Sequence, residues 1–229
     1  MPIDLTKVQL VADPGFAPRA WQAEAPRDMF AGNKPPVGDS PDLQRILALP
    51  RRPQPDTAQL EALVEYMSTR FARPTPPEGC RCREIAIAAG VKPRACITRL
   101  LPIQAWALYE IVLARGLLGP IAVGGGKTIL NILAPLAMPD CRKALLLVPP
   151  GLIKQLVFDY EMLAQHFVVP SLVVHAKVNG TDYTKIRDGV PSLHVFPYSK
   201  LSRPEATVKL DEMNPDTIVA DECHRLRHA

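Results

Sequence analysis

No apolar run in this chain reaches the roughly 18 residues that a membrane-spanning helix requires, and Met1 to Leu10 lack the apolar core of a signal peptide. Both absences argue against a membrane partner and lead us to expect a cytoplasmic protein. Cysteine is scarce: Cys80, Cys82, Cys96, Cys141 and Cys223 are odd in number and follow no disulfide framework, as fits a reducing compartment. Cys80, Cys82 and Cys96 are the only cluster. A structural zinc needs four ligands, and the first histidine, His166, lies far downstream. The cluster therefore reads either as part of a zinc site or as small buried or surface cysteines. No internal repeat is visible.

Proline, by contrast, is abundant, and it divides the chain. Of the 25 prolines, ten fall before Thr57, among Gly, Asn, Asp and few apolar residues, so residues 1–56 read as an extended or partly disordered arm. Within the arm, Pro41 could open a short helix running to Leu49. A better helix is expected from Thr57 to Ala72, with Asp56 as its N-cap and Leu60, Leu63, Val64, Met67 and Phe71 along one face. That stripe needs a partner, either the core or another chain.

The net charge of +4 conceals a local excess. Between residues 70 and 99, Arg70, Arg73, Arg81, Arg83, Lys92, Arg94 and Arg99 face only Glu78 and Glu84. Such a stretch reads either as a phosphate-backbone contact, favoured by counterion release, or as a solvated Arg-rich linker. Within it, Glu84 to Val91 followed by Ile97 to Leu100 suggests two helices around Gly90, the second starting at Pro93. The pair is either an ordinary helical hairpin or a helix-turn-helix. Residues 57–100 are thus expected to form a small helical basic region.

From residue 101 onward the pattern alternates as a parallel α/β sheet should. Strands are expected near 117–123, 144–149, 171–175, 193–198 and 217–221, and helices near 103–115, 127–137 and 152–166. Pro102 suits the first position of a helix, and Asp182 to Gly189 reads as a polar surface loop.

Two motifs carry chemistry. Leu117 to Val123 is strand-like and meets Gly124, Gly125 and Gly126, then Lys127 and Thr128, then the apolar run Ile129 to Leu133. Glycines let successive backbone N–H groups turn toward one point, and the positive end of the following helix faces the same place. A phosphate chain fits there, with Lys127 reaching the β and γ phosphates and the Thr128 hydroxyl on Mg²⁺. The strict P-loop pattern wants glycine where this chain has Ile121. The second motif is Thr217 to Ala220, a β-prone run ending in Asp221 and Glu222. Carboxylates at a strand's C-terminal end sit where open α/β sheets bind ligands. Asp221 would hold Mg²⁺ and Glu222 would orient or deprotonate the attacking water.

Together these motifs resemble motifs I and II of the superfamily 2 helicases and translocases, in their DExH branch. Leu101-Pro102-Ile103-Gln104 resembles the element that precedes motif I in Swi/Snf-type and restriction-type translocases. Leu145 to Ile153 with Gln155 is similar to motif Ia, Val195 to Leu201 to motif Ib, and Asp221 to Arg227, "DECHRLR", to the "DEAHRLKN" form of motif II. The resemblance covers residues from about 100 to 229. Its departures are Ile121, Gly125 and Cys223, none of which removes a catalytic group.

The resemblance implies a P-loop RecA-like parallel sheet flanked by helices over residues 101–229, with ATP and Mg²⁺ as cofactors. It implies that Gln104 reads the adenine edge and that His224 couples the nucleotide site to later motifs. The partner would be nucleic acid, DNA rather than RNA, and the setting a bacterial cell or a phage-infected host. In that fold a further strand, carrying motif III, lies between those of motifs I and II, and a second RecA-like domain places an arginine across the nucleotide. Both would follow Ala229, so the resemblance leads us to expect a sheet incomplete at its C-terminus and little or no ATPase activity from this chain alone. The expected function is the N-terminal portion of a DNA-dependent ATPase, helicase or translocase. The alternatives are a terminase-like packaging motor and a non-hydrolysing nucleotide- or DNA-binding module completed by another chain.

Overall fold

The computed structural model describes residues 56–74, 79–93, 95–117, 119, 121, 124–201 and 204–222, without the side chains of 204–207 and 209. The proline-rich arm and its short helix lie outside them. Residues Thr57–Ala229 form one compact unit. Its elements are α1 (Thr57–Phe71), α2 (Cys82–Ala88), α3 (Pro102–Ala114), α4 (Lys127–Ala137), β1 (Lys143–Val148), α5 (Ile153–Leu163), β2 (Ser171–Val178), β3 (Thr181–Lys185), β4 (Ser192–Pro197), α6 (Pro204–Met213) and β5 (Thr217–Ala220).

The five strands make one mixed α/β sheet in the order β3-β2-β4-β1-β5. β2, β4, β1 and β5 run parallel, and β3 returns antiparallel along β2. Strand β1 is apolar at nearly every position because both of its faces are covered. Its side chains alternate between two cores, as the two-residue period of a strand requires. Ala144, Leu146 and Val148 join the large core with Leu193 and Val195 of β4, while Leu145 and Leu147 join a smaller cluster with Phe196, Tyr198 and Met213.

The large core takes in the apolar sides of α1, α3, α4 and α5. Leu63, Val64, Met67 and Phe71 of α1 are all buried in it, so the stripe of that helix finds its partner inside the molecule. Ser68 on the same helix accepts the Leu100 N–H at 3.0 Å, which satisfies a buried backbone donor where the chain turns into α3. The helical stretch before residue 100 thus shares one core with the sheet.

Several expectations need correction. The sheet is mixed, and Asp182 to Lys185, expected in a loop, belong to strand β3. Its hairpin turns at Asn179 and Gly180, both with positive φ (51° and 85°), the backbone that a two-residue turn between antiparallel strands favours. β3 reads as a loop because it is an exposed edge strand with little apolar alternation. α2 is a single helix: after Gly90 (φ 69°) the described residues up to Leu101 hold no second helix, so neither the hairpin nor the helix-turn-helix is formed. Pro93 fails to start one because few apolar positions there can be buried, and Val91 stays 40% exposed. Of the strand expected near 117–123, the described residues Leu117, Gly119 and Ile121 carry no strand, and residues 118, 120, 122 and 123 lie outside the description. Helix α6, not foreseen, opens on Pro204, a position where a missing N–H costs nothing. No helix among the described residues is long and apolar enough to cross a membrane.

Candidate nucleotide site

The glycine turn, the N-terminus of α4 and the C-terminal end of β5 define the site. Gly124 and Gly126 have φ of 85° and 72°, a region that residues with a Cβ rarely adopt. At Gly126 space is as restrictive as backbone angle, since a Cβ there would meet Gln104 Nε2 at 2.0 Å. Gly126 is the N-cap of α4, so Lys127 and Thr128 are its first two residues, where backbone N–H groups have no preceding helical carbonyl.

Gln104 ties this turn to α3. Its Oε1 accepts the Leu101 N–H at 2.8 Å, capping α3, and its Nε2 donates to the Gly126 carbonyl at 3.2 Å. The side chain is 1% exposed, with both ends of its amide used inside the protein. An adenine could reach it only after the side chain turned out of this position.

Across from α4, β5 delivers Asp221. The Asp221 N–H donates to the Leu147 carbonyl at 2.9 Å, and the Tyr198 hydroxyl donates to the Asp221 carbonyl, so its backbone is held from β1 and from the turn after β4. Burial pushes the Asp221 carboxyl above its ordinary range, and the neighbouring Glu222 charge pushes the same way. A hydrogen bond with the Asn131 side chain and the positive charge of Lys127 oppose that shift. Glu222 follows with φ 53°, an uncommon backbone for a glutamate that turns the chain out of the strand.

Lys127, Asn131, Asp221 and Glu222 all line one cleft of about 730 Å³. One wall is the outer edge of β5, from Asp216 to Ala220, and the other includes Ile111, Leu117, Gly119 and Ile121. Arg115, the only arginine among the described residues lining the cleft, is paired with Asp140 at 2.5 Å. Three expected residues therefore share the cleft: Lys127, Asp221 and Glu222. Gly124, Gly125, Gly126 and Thr128 form the turn and the helix start but do not line it, Gln104 lies buried behind the turn, and His224 falls outside the described residues.

No family model, curated protein or solved structure matches the chain.

Sequence reasoning missed Asn131. Its signal was present: it is the one polar side chain in the run from Ile129 to Leu136 and lies four positions after Lys127, hence on the same face of α4. It also missed Tyr198, whose hydroxyl reaches Asp221 only because β4, β1 and β5 are neighbours. The donor set suits a magnesium nucleotide. An ammonium group and a helix N-terminus can meet phosphates, and carboxylate oxygens are hard ligands for Mg²⁺. Of the two oxygen donors expected for the metal, Asp221 is at the cleft and Thr128 is not.

The basic stretch is less free than its composition suggested. Arg81 pairs with Glu84 at 2.9 Å and Arg99 with Glu61 at 2.6 Å, while Arg73 donates to the Ala164 carbonyl at 3.3 Å. Arg83 and Lys92 are exposed, and Arg94 lies outside the described residues. In the same stretch the fold gathers the three clustered cysteines and adds His166, whose ring nitrogen lies with the three sulfurs within 4.8 Å of one another. Cys82 is buried, and that burial, with Cys96 and Cys80 beside it, pushes its thiol up to about 12.

Proposed function

We propose that the chain binds MgATP at the start of α4 and supplies the nucleotide-binding part of a DExH-type, DNA-dependent ATPase of RecA-like fold, a helicase or translocase of superfamily 2. The observation that carries this reading is the convergence of Lys127, Asp221 and Glu222 on one cleft, with Asn131 of α4 hydrogen-bonded to the carboxylate at the end of β5. Residues far apart in the chain, chosen for one chemistry, meet on one surface.

In this reading Lys127 neutralises the β and γ phosphates while the N–H groups of the glycine turn cradle them. Asp221 would hold Mg²⁺, which when bound would supply charge neutralisation at the phosphates, and the Thr128 hydroxyl would join it only after turning toward the cleft. Glu222 orients and deprotonates the attacking water, and His224 couples the site to the rest of the motor. Gln104 acts first on the protein itself, fixing the turn through Gly126, and meets adenine only in a turned-out position. Arg115 pairs with Asp140, and the resemblance to RecA-like motors assigns the arginine that would steady the transferring phosphate to a second such domain, in this or another chain.

The test is equilibrium binding of a fluorescent ATP analogue with Mg²⁺, followed by ATP turnover with and without DNA or RNA. Lys127→Ala should weaken nucleotide binding by about 10- to 100-fold, the effect of losing a charge-assisted hydrogen bond. Asp221→Asn should remove the Mg²⁺ dependence. Equal affinity for wild type and Lys127→Ala would overturn the site, and stimulation of turnover by RNA alone would redirect the choice of nucleic acid.

A further inference from the structure

We propose that Cys80, Cys82, Cys96 and His166 form a structural zinc site that fastens residues 79–99 to the body of the molecule. The four ligand atoms come from three segments. Cys80 precedes α2, and Cys82 is its first residue; Cys96 lies in the irregular stretch before α3, and His166 follows α5. Cys80 Sγ is 3.2 Å from Cys96 Sγ, Cys82 Sγ is 3.4 Å from His166 Nε2, and all four atoms lie within 4.8 Å of one another.

Bond lengths of about 2.3 Å to sulfur and 2.0–2.1 Å to nitrogen, in a tetrahedron, require edges of about 3.8 Å between sulfurs and about 3.5 Å between sulfur and nitrogen. The observed sulfur–nitrogen edge falls about 0.1 Å short of its value and the sulfur–sulfur edge about 0.6 Å short, so closing the tetrahedron asks only that Cys80 and Cys96 move slightly apart. The 3.2 Å between Cys80 and Cys96 is far longer than the roughly 2.05 Å of a disulfide. Three sulfurs and one imidazole, closed on four sides, suit zinc in a structural role better than a hard cation or an open catalytic metal.

A second, independent observation is how little else holds this region. Among the described residues from 79 to 99, only Cys82 and Ala86 are buried, whereas Ile87 is 59% and Val91 40% exposed. Beyond α2 the stretch has no regular structure, and among its described side chains up to residue 99 Ile97 alone packs, partly buried, against the large core. The backbone nonetheless delivers the ligands in register. Ala72 bridges Phe167, the Arg73 N–H donates to the His166 carbonyl at 3.1 Å, and the Arg81 N–H donates to Gln165 Oε1 at 3.3 Å. Of these contacts, the one from Arg81 to Gln165 holds the Cys80-to-Cys82 segment beside His166. A small region with too little apolar area to bury is the setting in which a metal supplies the missing stability.

The test uses the full chain, purified under reducing conditions without chelator. Elemental analysis should find about one zinc per chain, and replacement by Co²⁺ should give the intense visible bands of a tetrahedral thiolate site. Added zinc should slow alkylation of Cys80 and Cys96 strongly and leave Cys141 unchanged. Cys82→Ser and His166→Ala should lose the metal, His166→Cys should keep it as a four-sulfur site, and Cys141→Ser should match wild type. Because the cobalt spectrum and the alkylation rates are read on wild type, failure of a variant to fold does not decide the matter. Overturning results are wild-type protein that takes up no zinc or cobalt beyond Cys82→Ser, or alkylation of Cys80 and Cys96 at one rate with and without zinc. Nucleotide binding enters none of these readings, so the zinc site and the ATP site stand or fall separately.

Discussion

At the scale of single residues, the pairing of Gly126 with Gln104 shows how the glycine turn is specified. Backbone angle and a 2.0 Å approach both exclude a Cβ at Gly126, and the approaching atom belongs to the side chain that caps α3. Gly126→Ala should therefore destabilise the fold by about 1–3 kcal/mol, the usual cost of a residue forced into the left-handed region with a steric conflict. Adding Gln104→Ala should recover only part of this loss, because it removes the clash but not the positive φ, and also strips the Leu101 cap. Chemical denaturation of the two single variants and the double variant gives the comparison. A double variant restored to the Gln104→Ala value would show that φ contributes nothing. Lys127, Asp221 and Glu222 were legible as single residues because charge next to an apolar run stands out. The engaged state of Gln104 was not, since its second partner, Gly126, meets it only through packing of α3 against α4.

At the scale of elements, the buried parallel strands and the long helices followed from hydrophobic pattern, while the edge of the sheet did not. β1 and β4 announce themselves through apolar runs, and α1 through its stripe. β3 is polar and pairs on one side only, so its signal lay in the Asn179-Gly180 turn rather than in its own residues. In the stretch expected as a strand before the glycine turn, the described residues Leu117, Gly119 and Ile121 carry no strand and line the cleft opposite β5, where no described strand pairs with them. Ahead of β5, Asp216 joins the elements. Its carboxylate accepts the N–H groups of Arg142 and Lys143, each at 2.8 Å, and these two hydrogen bonds, that to Arg142 first, hold its pKa below the ordinary value of 3.8. A carboxylate with a lowered folded pKa adds stability that is fully present above the unfolded value and is lost as pH falls through the folded one. Asp216→Ala should thus melt below wild type at neutral pH, and the gap should close as pH drops beneath 3.8. A gap that is constant with pH would assign the loss to something other than this charge.

At the scale of the whole molecule, the unit from Thr57 to Ala229 brings two clusters of polar side chains onto one sheet-and-helix body. Lys127, Asp221 and Glu222 meet where α4 and β5 face the cleft, and the cysteine cluster meets His166 beyond the end of α5. The first meeting was foreseeable, because both motifs set charged residues at the end of an apolar run, where the ends of parallel strands and the starts of helices come together. The second was not, since α3, α4, β1 and α5 lie between Cys96 and His166 in the chain, and backbone pairing of Phe71 to Arg73 with His166 to Val168 brings the segments back together. The central claim is that a magnesium nucleotide binds between the glycine turn and the β5 carboxylates. Backbone amide NMR of the full chain, titrated with MgATP, locates that contact directly. The largest shift changes should fall on Gly124 to Thr128, Asn131, Asp221 and Glu222, with Cys80, Cys82 and His166 unmoved. Saturating shifts confined to other surfaces, or no shifts at millimolar MgATP, would contradict it.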